Sequence, residues 1–236
     1  MGLKKGDTRR GELLAAAEKL FYTKGYENTS VQDILDAVGF SKGGFYHYFV
    51  SKEAVMQEIC EQRATARFGR LGMELYDSRV SPIDKLNRLL SLVNLFGGDD
   101  PRFAAMMMQI CYVDGDVRMR DRMRGIVRER LEHYMDDVLM EGTQSGDFFV
   151  RHPGRLGCIL LNLAADLDDE ACRRIAAAPD SPETVIDIAE MLDACRDAVE
   201  LLVGAPYGSI RLFDPARLLA DSRAAAAGLR KLEAEK

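Results

Sequence analysis

Val38-Gly39-Phe40-Ser41-Lys42-Gly43-Gly44-Phe45-Tyr46-His47-Tyr48-Phe49 is the stretch on which the reading of this chain turns. Gly39 stops a helix, because glycine tolerates the left-handed backbone that ends one. Ser41 then caps a second helix, and Phe45 and Phe49, four apart, share its inner face. Upstream, Val31, Ile34, Leu35 and Val38 recur at helical spacing. Thr29 or Ser30 caps them, with Gln32 or Asp33 three residues on as the second half of a capping box. Two short helices joined at such a turn have the form of a helix-turn-helix. The second opens on Lys42, Gly43 and Gly44. Each glycine costs a helix about 1 kcal/mol relative to alanine. Close approach to base edges accounts for that cost: the bare backbone comes near, and Lys42 donates to guanine acceptors. Tyr46, His47 and Tyr48 offer polar groups to phosphates.

Working outward, Leu13, Leu14, Ala17, Leu20 and Phe21 form the apolar stripe of a preceding helix, stopped by Gly25. Ser51 opens a fourth helix, through Val55, Ile59 and Cys60. Lys52 sits in its first turn, where its charge opposes the helix dipole; a phosphate held there would resolve the conflict. Further on, the helices lengthen. Ser81-Pro82 and Asp100-Pro101 open two, and Gly97-Gly98 breaks the first of them. A long amphipathic segment covers 116–141, followed by a loop over 142–153. Two more helices cover about 153–178 and 182–203, and a capped helix is expected from Asp214-Pro215 into the tail. Strand patterning is almost absent. The expectation is an all-α chain of nine to ten helices. A helix-turn-helix domain occupies 1–52 and a larger helical domain 53–236.

The chain has 236 residues and a net charge of −6. Residues 1–52 hold eight Lys/Arg against six Asp/Glu, a net of +2, which leaves −8 on the remainder. A nucleic-acid-facing head on an acidic body fits that asymmetry. The basic N-terminus is not followed by an apolar run, and no transmembrane stretch is present, so a cytoplasmic protein without membrane contact is expected. Five widely spaced cysteines suit buried thiols rather than a metal or redox motif. Asp166, Asp168, Asp169 and Glu170 form an acidic run, best read as a solvated helix face. No nucleophile elbow, phosphate-binding glycine loop or paired Cys/His ligands occur, so neither an enzyme, a metal site nor a cofactor is expected.

Residues 26–34, 38–49 and 51–53, taken together, resemble the N-terminal domain of tetracycline-repressor (TetR) family regulators. The resemblance covers about 10–58 and implies a three-helix DNA-binding domain. A C-terminal helical domain for ligand binding and dimerisation would follow. It places Thr29 and Ser30 at phosphate, Gln32 at a base or phosphate, and Lys42, Gly43 and Gly44 in the major groove, with Ser41 also counted among the DNA-binding residues. Tyr46, His47 and Lys52 would grip the phosphates. Gly44 departs from the family, which often carries Thr or another base-touching side chain there.

A single head binds weakly, whereas two on a two-fold axis read a palindromic double-stranded operator. Leu156, Ile159, Leu160 and Leu163, with Val185, Ile188, Leu192 and Val199, are the candidate homodimer interface, a four-helix bundle across the axis. Filling of the monomer's own core is the competing use of those stripes. The Met- and aromatic-rich middle suggests a pocket for a small-molecule inducer, with Phe103, Met107, Cys111, Met123 and Tyr134 as candidates. The function expected is a ligand-released repressor. The alternative is a constitutive helical module, favoured by a filled rather than an open body.

Overall fold

The computed structural model describes residues 5–69, 71–93, 100–178 and 181–212, with side chains from residue 8. It is all-helical over those residues, without a strand. The chain divides into two compact units, 1–66 and 67–236. The expected boundary at residue 52 lies at the start of a helix that the first unit retains almost whole.

The first unit contains α1 (Lys5–Lys24), α2 (Val31–Val38), α3 (Lys42–Tyr48) and most of α4 (Lys52–Phe68). Leu13, Leu14, Ala17 and Phe21 of α1, Ile34 and Leu35 of α2, Phe45 and Phe49 around α3, and Val55, Met56 and Ile59 of α4 are buried. The Phe21 and Tyr26 rings pack edge to face with centroids 5.1 Å apart. Of the two possible capping boxes, Ser30–Asp33 forms: Asp33 N donates to Ser30 Oγ at 3.1 Å and Ser30 N to Asp33 Oδ2 at 2.7 Å. Gly39 ends α2 at φ 67°, and Ser41 Oγ caps α3 by accepting from Gly44 N at 3.2 Å.

The second unit contains the end of α4, α5 (Leu71–Leu75), α6 (Pro82–Ser91) and α7 (Pro101–Met108). It continues through α8 (Val117–Ser145), α9 (Pro153–Ala177) and α10 (Pro182–Val203). Beyond Met108 the backbone widens into a π-helical turn, Gln109–Val113. The core combines Leu86, Leu89 and Leu90 of α6, Met106, Met107 and Met108 of α7, and Leu131, Met135 and Leu139 of α8. The Gly97-Gly98 break and the tail helix from Asp214-Pro215 lie outside the described residues.

The expected loop over 142–153 is shorter than the sequence suggested. Helix α8 passes through Gly142 and ends at Gly146, φ 86°. Gly142 is there for space: a Cβ on it would sit within 2.1 Å of the Phe148 ring, which folds back over the helix while Phe148 N donates to Gly142 O at 2.9 Å. The buried Lys85 ammonium donates to both Glu141 oxygens at 2.7 Å, joining α6 to α8. Asn87 holds the segment after α10, donating to Ser209 O at 2.9 Å and accepting from Arg211 N at 2.6 Å.

Candidate nucleic-acid interface

The outer face of the first unit is built by α2 and α3. Lys42, Gly43, Tyr46 and His47 are exposed on α3, Tyr46 to 56%, while Phe45 and Phe49 turn inward. Lys42 has no partner among the described residues. The two glycines answer no internal need. Neither has a positive φ. A Cβ on Gly43 would meet nothing within 4 Å, and one on Gly44 only Ser41 Oγ at 3.4 Å. Neither packing nor backbone conformation demands them, so the helix-weakening pair leaves room for something outside the chain.

Gln32 is exposed on α2 and donates to Asp36 Oδ1 at 2.7 Å. Ser30 is exposed, but its hydroxyl is engaged in the cap and with Asp33 Oδ2. Lys24 lies 2.7 Å from Asp33, and this pairing, with the Ser30 bonds, holds the Asp33 carboxyl far below the usual carboxylate range. Thr29 sits deeper than its neighbours, 1% exposed, with its hydroxyl donating to Gly25 O at 2.7 Å. Lys52 also turns inward. Its ammonium donates to Tyr26 O at 2.7 Å and to Glu27 O at 3.4 Å, and stands 4.2 Å from the Tyr26 ring centroid. The charge conflict at the start of α4 is thus relieved by carbonyls of the turn between α1 and α2. Two basic residues that the sequence did not single out frame the same unit. Arg9 lies over the Phe40 ring at 5.4 Å; Arg10 lies over Phe49 at 5.3 Å and pairs with Glu58 at 2.8 Å.

In the second unit, Phe103, Met107, Cys111 and Met123 are buried in the core, and Tyr134 is half-buried beside Gly72. Leu156, Leu160, Ile188 and Val199 are buried within the protomer; Leu163, Val185 and Leu192 are half-buried, and Ile159 is 52% exposed. Ile186, Leu201 and Leu202 of α10 are also exposed; sequence periodicity alone did not distinguish them from the core stripe.

The acidic run on α9 is only partly a solvated face: Asp166 is exposed and Asp168 and Glu170 are half-exposed, but Asp169 is not. Asp169 is buried; it accepts from Tyr112 Oη at 3.0 Å, stands 3.4 Å from Arg120 Nε, and pairs with Arg173. The π turn after α7 brings Tyr112 to this point. Asp166 pairs with Arg124, and Glu170 with Arg174 at 2.9 Å. Asp168 accepts no hydrogen bond from a described residue. Its withdrawal from water pushes the carboxyl up to about 7, against the pull of Arg67 and Arg124 and with the push of Asp169. It lines a cavity of about 20 Å³ with Tyr112, Met123 and Arg124. A cleft of about 280 Å³ opens between α8 and α9, lined by Arg124, Arg128, Leu161, Asn162 and Asp166. Among the described residues, no helix is long and apolar enough to cross a membrane.

Comparison with known proteins bears on both units. The family model described as bacterial regulatory proteins, tetR family, matches residues 13–59. The HTH-type transcriptional repressor KstR2 of Mycolicibacterium smegmatis is 32% identical over 145 residues, 60% of this chain and 68% of its own. Among solved structures, the regulator FadR of Bacillus subtilis with stearoyl-CoA aligns at TM-score 0.54 and 20% identity, covering 83% of this chain and 98% of that one. A regulator from Saccharomonospora viridis with choline aligns at TM-score 0.55 and 18% identity, covering 84% and 98%. At those identities the two structures speak to the fold alone.

Proposed function

The chain belongs to the tetR family of bacterial transcriptional regulators, and from that premise we propose that it is a ligand-responsive repressor acting as a homodimer on a palindromic operator. The observation that carries the reading is α3: a helix weakened by two glycines that nothing inside the chain requires, with Lys42 unpartnered and exposed beside them. Lys42 and the Gly43-Gly44 backbone enter the major groove, with Gln32 and Tyr46 beside them, and His47 and Tyr48 meet phosphates. Ser41 and Ser30 hold the two helix starts in place.

The dimer uses the apolar groups left exposed or half-exposed on α9 and α10, namely Ile159, Leu163, Val185 and Leu192, with Ile186 and Leu202 extending the patch. The ligand acts on the second unit, through which α4 ends. A ligand that binds better to the state with misplaced heads draws the population off DNA. The stearoyl-CoA and choline in the two aligned regulators are in keeping with a small-molecule effector here.

Selection from a random duplex pool with the full chain tests this. Enrichment of an inverted repeat, with half-sites spaced by one helical turn or a multiple, is the expected result. Enrichment of no symmetric motif would overturn the dimeric-operator reading.

A further inference from the structure

We propose that the outer face of α8 is a second self-association surface, on which α8 of a second copy lies antiparallel across Gly125 about a two-fold axis. The helix is divided by charge. Residues 117–128 hold five arginines against one aspartate, a net of +4, and residues 129–141 hold five carboxylates against one arginine, a net of −4. The solvent face carries that division in a single row, Arg118, Arg122, Gly125, Glu129 and Glu132, spaced three or four apart. The four charged members are exposed, and none has an ion pair or hydrogen bond to a described residue.

Such an order works against the helix that bears it. Like charges four apart repel, as Arg118 does Arg122 and Glu132 does Asp136. Cations towards the N-terminus and anions towards the C-terminus also run against the helix dipole. A face that serves solvation alone gains by mixing the signs, as α9 does where Asp169 pairs with Arg173 and Glu170 with Arg174. In an antiparallel copy the segregated order becomes complementary. Arg122 then faces Glu129 of the partner subunit, Arg118 faces Glu132 of the partner subunit, and the two-fold axis repeats both pairs. The row spans about 21 Å of helix, and the two helix dipoles oppose each other.

Gly125 stands at the centre of the row. A Cβ there would meet nothing within 4 Å, and its φ is not positive. Neither packing nor backbone conformation inside the protomer calls for glycine within this 29-residue helix, which it weakens relative to alanine. Bare backbone at a crossing point lets two helices approach closely. Along the same flank opens the 280 Å³ cleft, lined by Arg128, Leu161 and Asn162 as well as Gly125, which receives side chains from the edge of the crossing helix. One helix face is less than a stable dimer needs. The contact therefore joins chains already paired through α9 and α10, and its exposed charge pairs make it sensitive to salt.

Sedimentation of the full chain over a concentration series tests the proposal. The mass in about 50 mM salt rises to twice that in about 500 mM, where screening removes the pairs. Arg118→Glu/Arg122→Glu and Glu129→Arg/Glu132→Arg each weaken the doubling by about tenfold or more. Mixed one to one they restore it, because every pair between the two variants is again of opposite charge. Gly125→Leu abolishes the doubling while its thermal midpoint stays level or rises, and it serves as the test should a double variant fail to melt cooperatively. The proposal falls if wild type keeps one mass in both salts, if either folded double variant alone doubles like wild type, if their mixture does not double, or if Gly125→Leu doubles like wild type. The two self-association readings stay apart: a chain that is monomeric in high salt yet doubles through α8 in low salt overturns the α9–α10 homodimer and leaves this contact standing.

Discussion

The two units differ in whether charged groups are drawn into the interior. In the first, local caps and turns take up several of the polar groups, with Ser30 and Asp33 closing a capping box, Ser41 capping α3 and Thr29 holding the turn, while Lys52, Arg63 and Arg10 reach partners far along the sequence at the partly exposed surface. What remains outside is a small set on α2 and α3. In the second unit, charged groups are drawn inside the helical packing across long sequence distances: Lys85 with Glu141, and Tyr112 and Arg120 with Asp169. A head can present a fixed surface when local caps satisfy its backbone. A body with buried charge is poised to respond, because each unmatched group there has a large free energy to recover.

Substitutions can break this contrast. Phe45→Ala empties the centre of the head core and costs about 3–5 kcal/mol; urea denaturation should show it, with loss of DNA binding. Gly142→Ala drives a methyl into the Phe148 ring and costs on the order of 3 kcal/mol in the second unit. Tolerance of alanine would mean that Phe148 can swing away. Asp168→Asn acts in the opposite direction. Burial raises the wild-type carboxyl from 3.8 to about 7, so the folded chain holds its proton more tightly than the unfolded one. That contribution is most favourable below pH 3.8 and is lost as pH rises to about 7. The amide should therefore stabilise at pH 8 by on the order of 2 kcal/mol, with the gain shrinking towards pH 4. A pH-independent difference would show that the carboxyl is hydrated in solution.

Lys52→Met separates anchoring from phosphate contact. Loss of the bonds to Tyr26 O and Glu27 O should cost about 1–2 kcal/mol in the head. If Lys52 also meets a phosphate, the log–log salt slope of DNA binding flattens by about one. An unchanged slope assigns it to the turn alone. The smallest stability effect is expected of Tyr46→Phe, within about 0.5 kcal/mol, since the residue is exposed. Its operator affinity should nonetheless fall; unfolding would put the tyrosine in the core and the register of α3 in error.

The head was legible because its rules act within a few residues. Gly39, Ser41 and the Phe45/Phe49 pair fix a turn, a cap and an inner face without reference to anything distant. The family resemblance rests on the same residues. Which capping box would close was not legible, since Thr29 and Ser30 have equal chemistry; burial of Thr29 decides it. Nor was the direction of Lys52, because its carbonyl partners lie 25 and 26 residues away.

The sequence by itself determined an all-helical chain, the position of the helix-turn-helix and the split between a basic N-terminal stretch and an acidic remainder. Helical periodicity and capping are local, and charge is additive. Tertiary structure alone decided that Gly142 is a seat for Phe148 rather than a helix stop. It also decided that Asp169 points inward while Asp166 stays outside, and that Leu160, Ile188 and Val199 serve the protomer's own core while Ile159 remains outside. An amphipathic stripe records that a face must be buried, but not against which neighbour; only the packed helices make that choice.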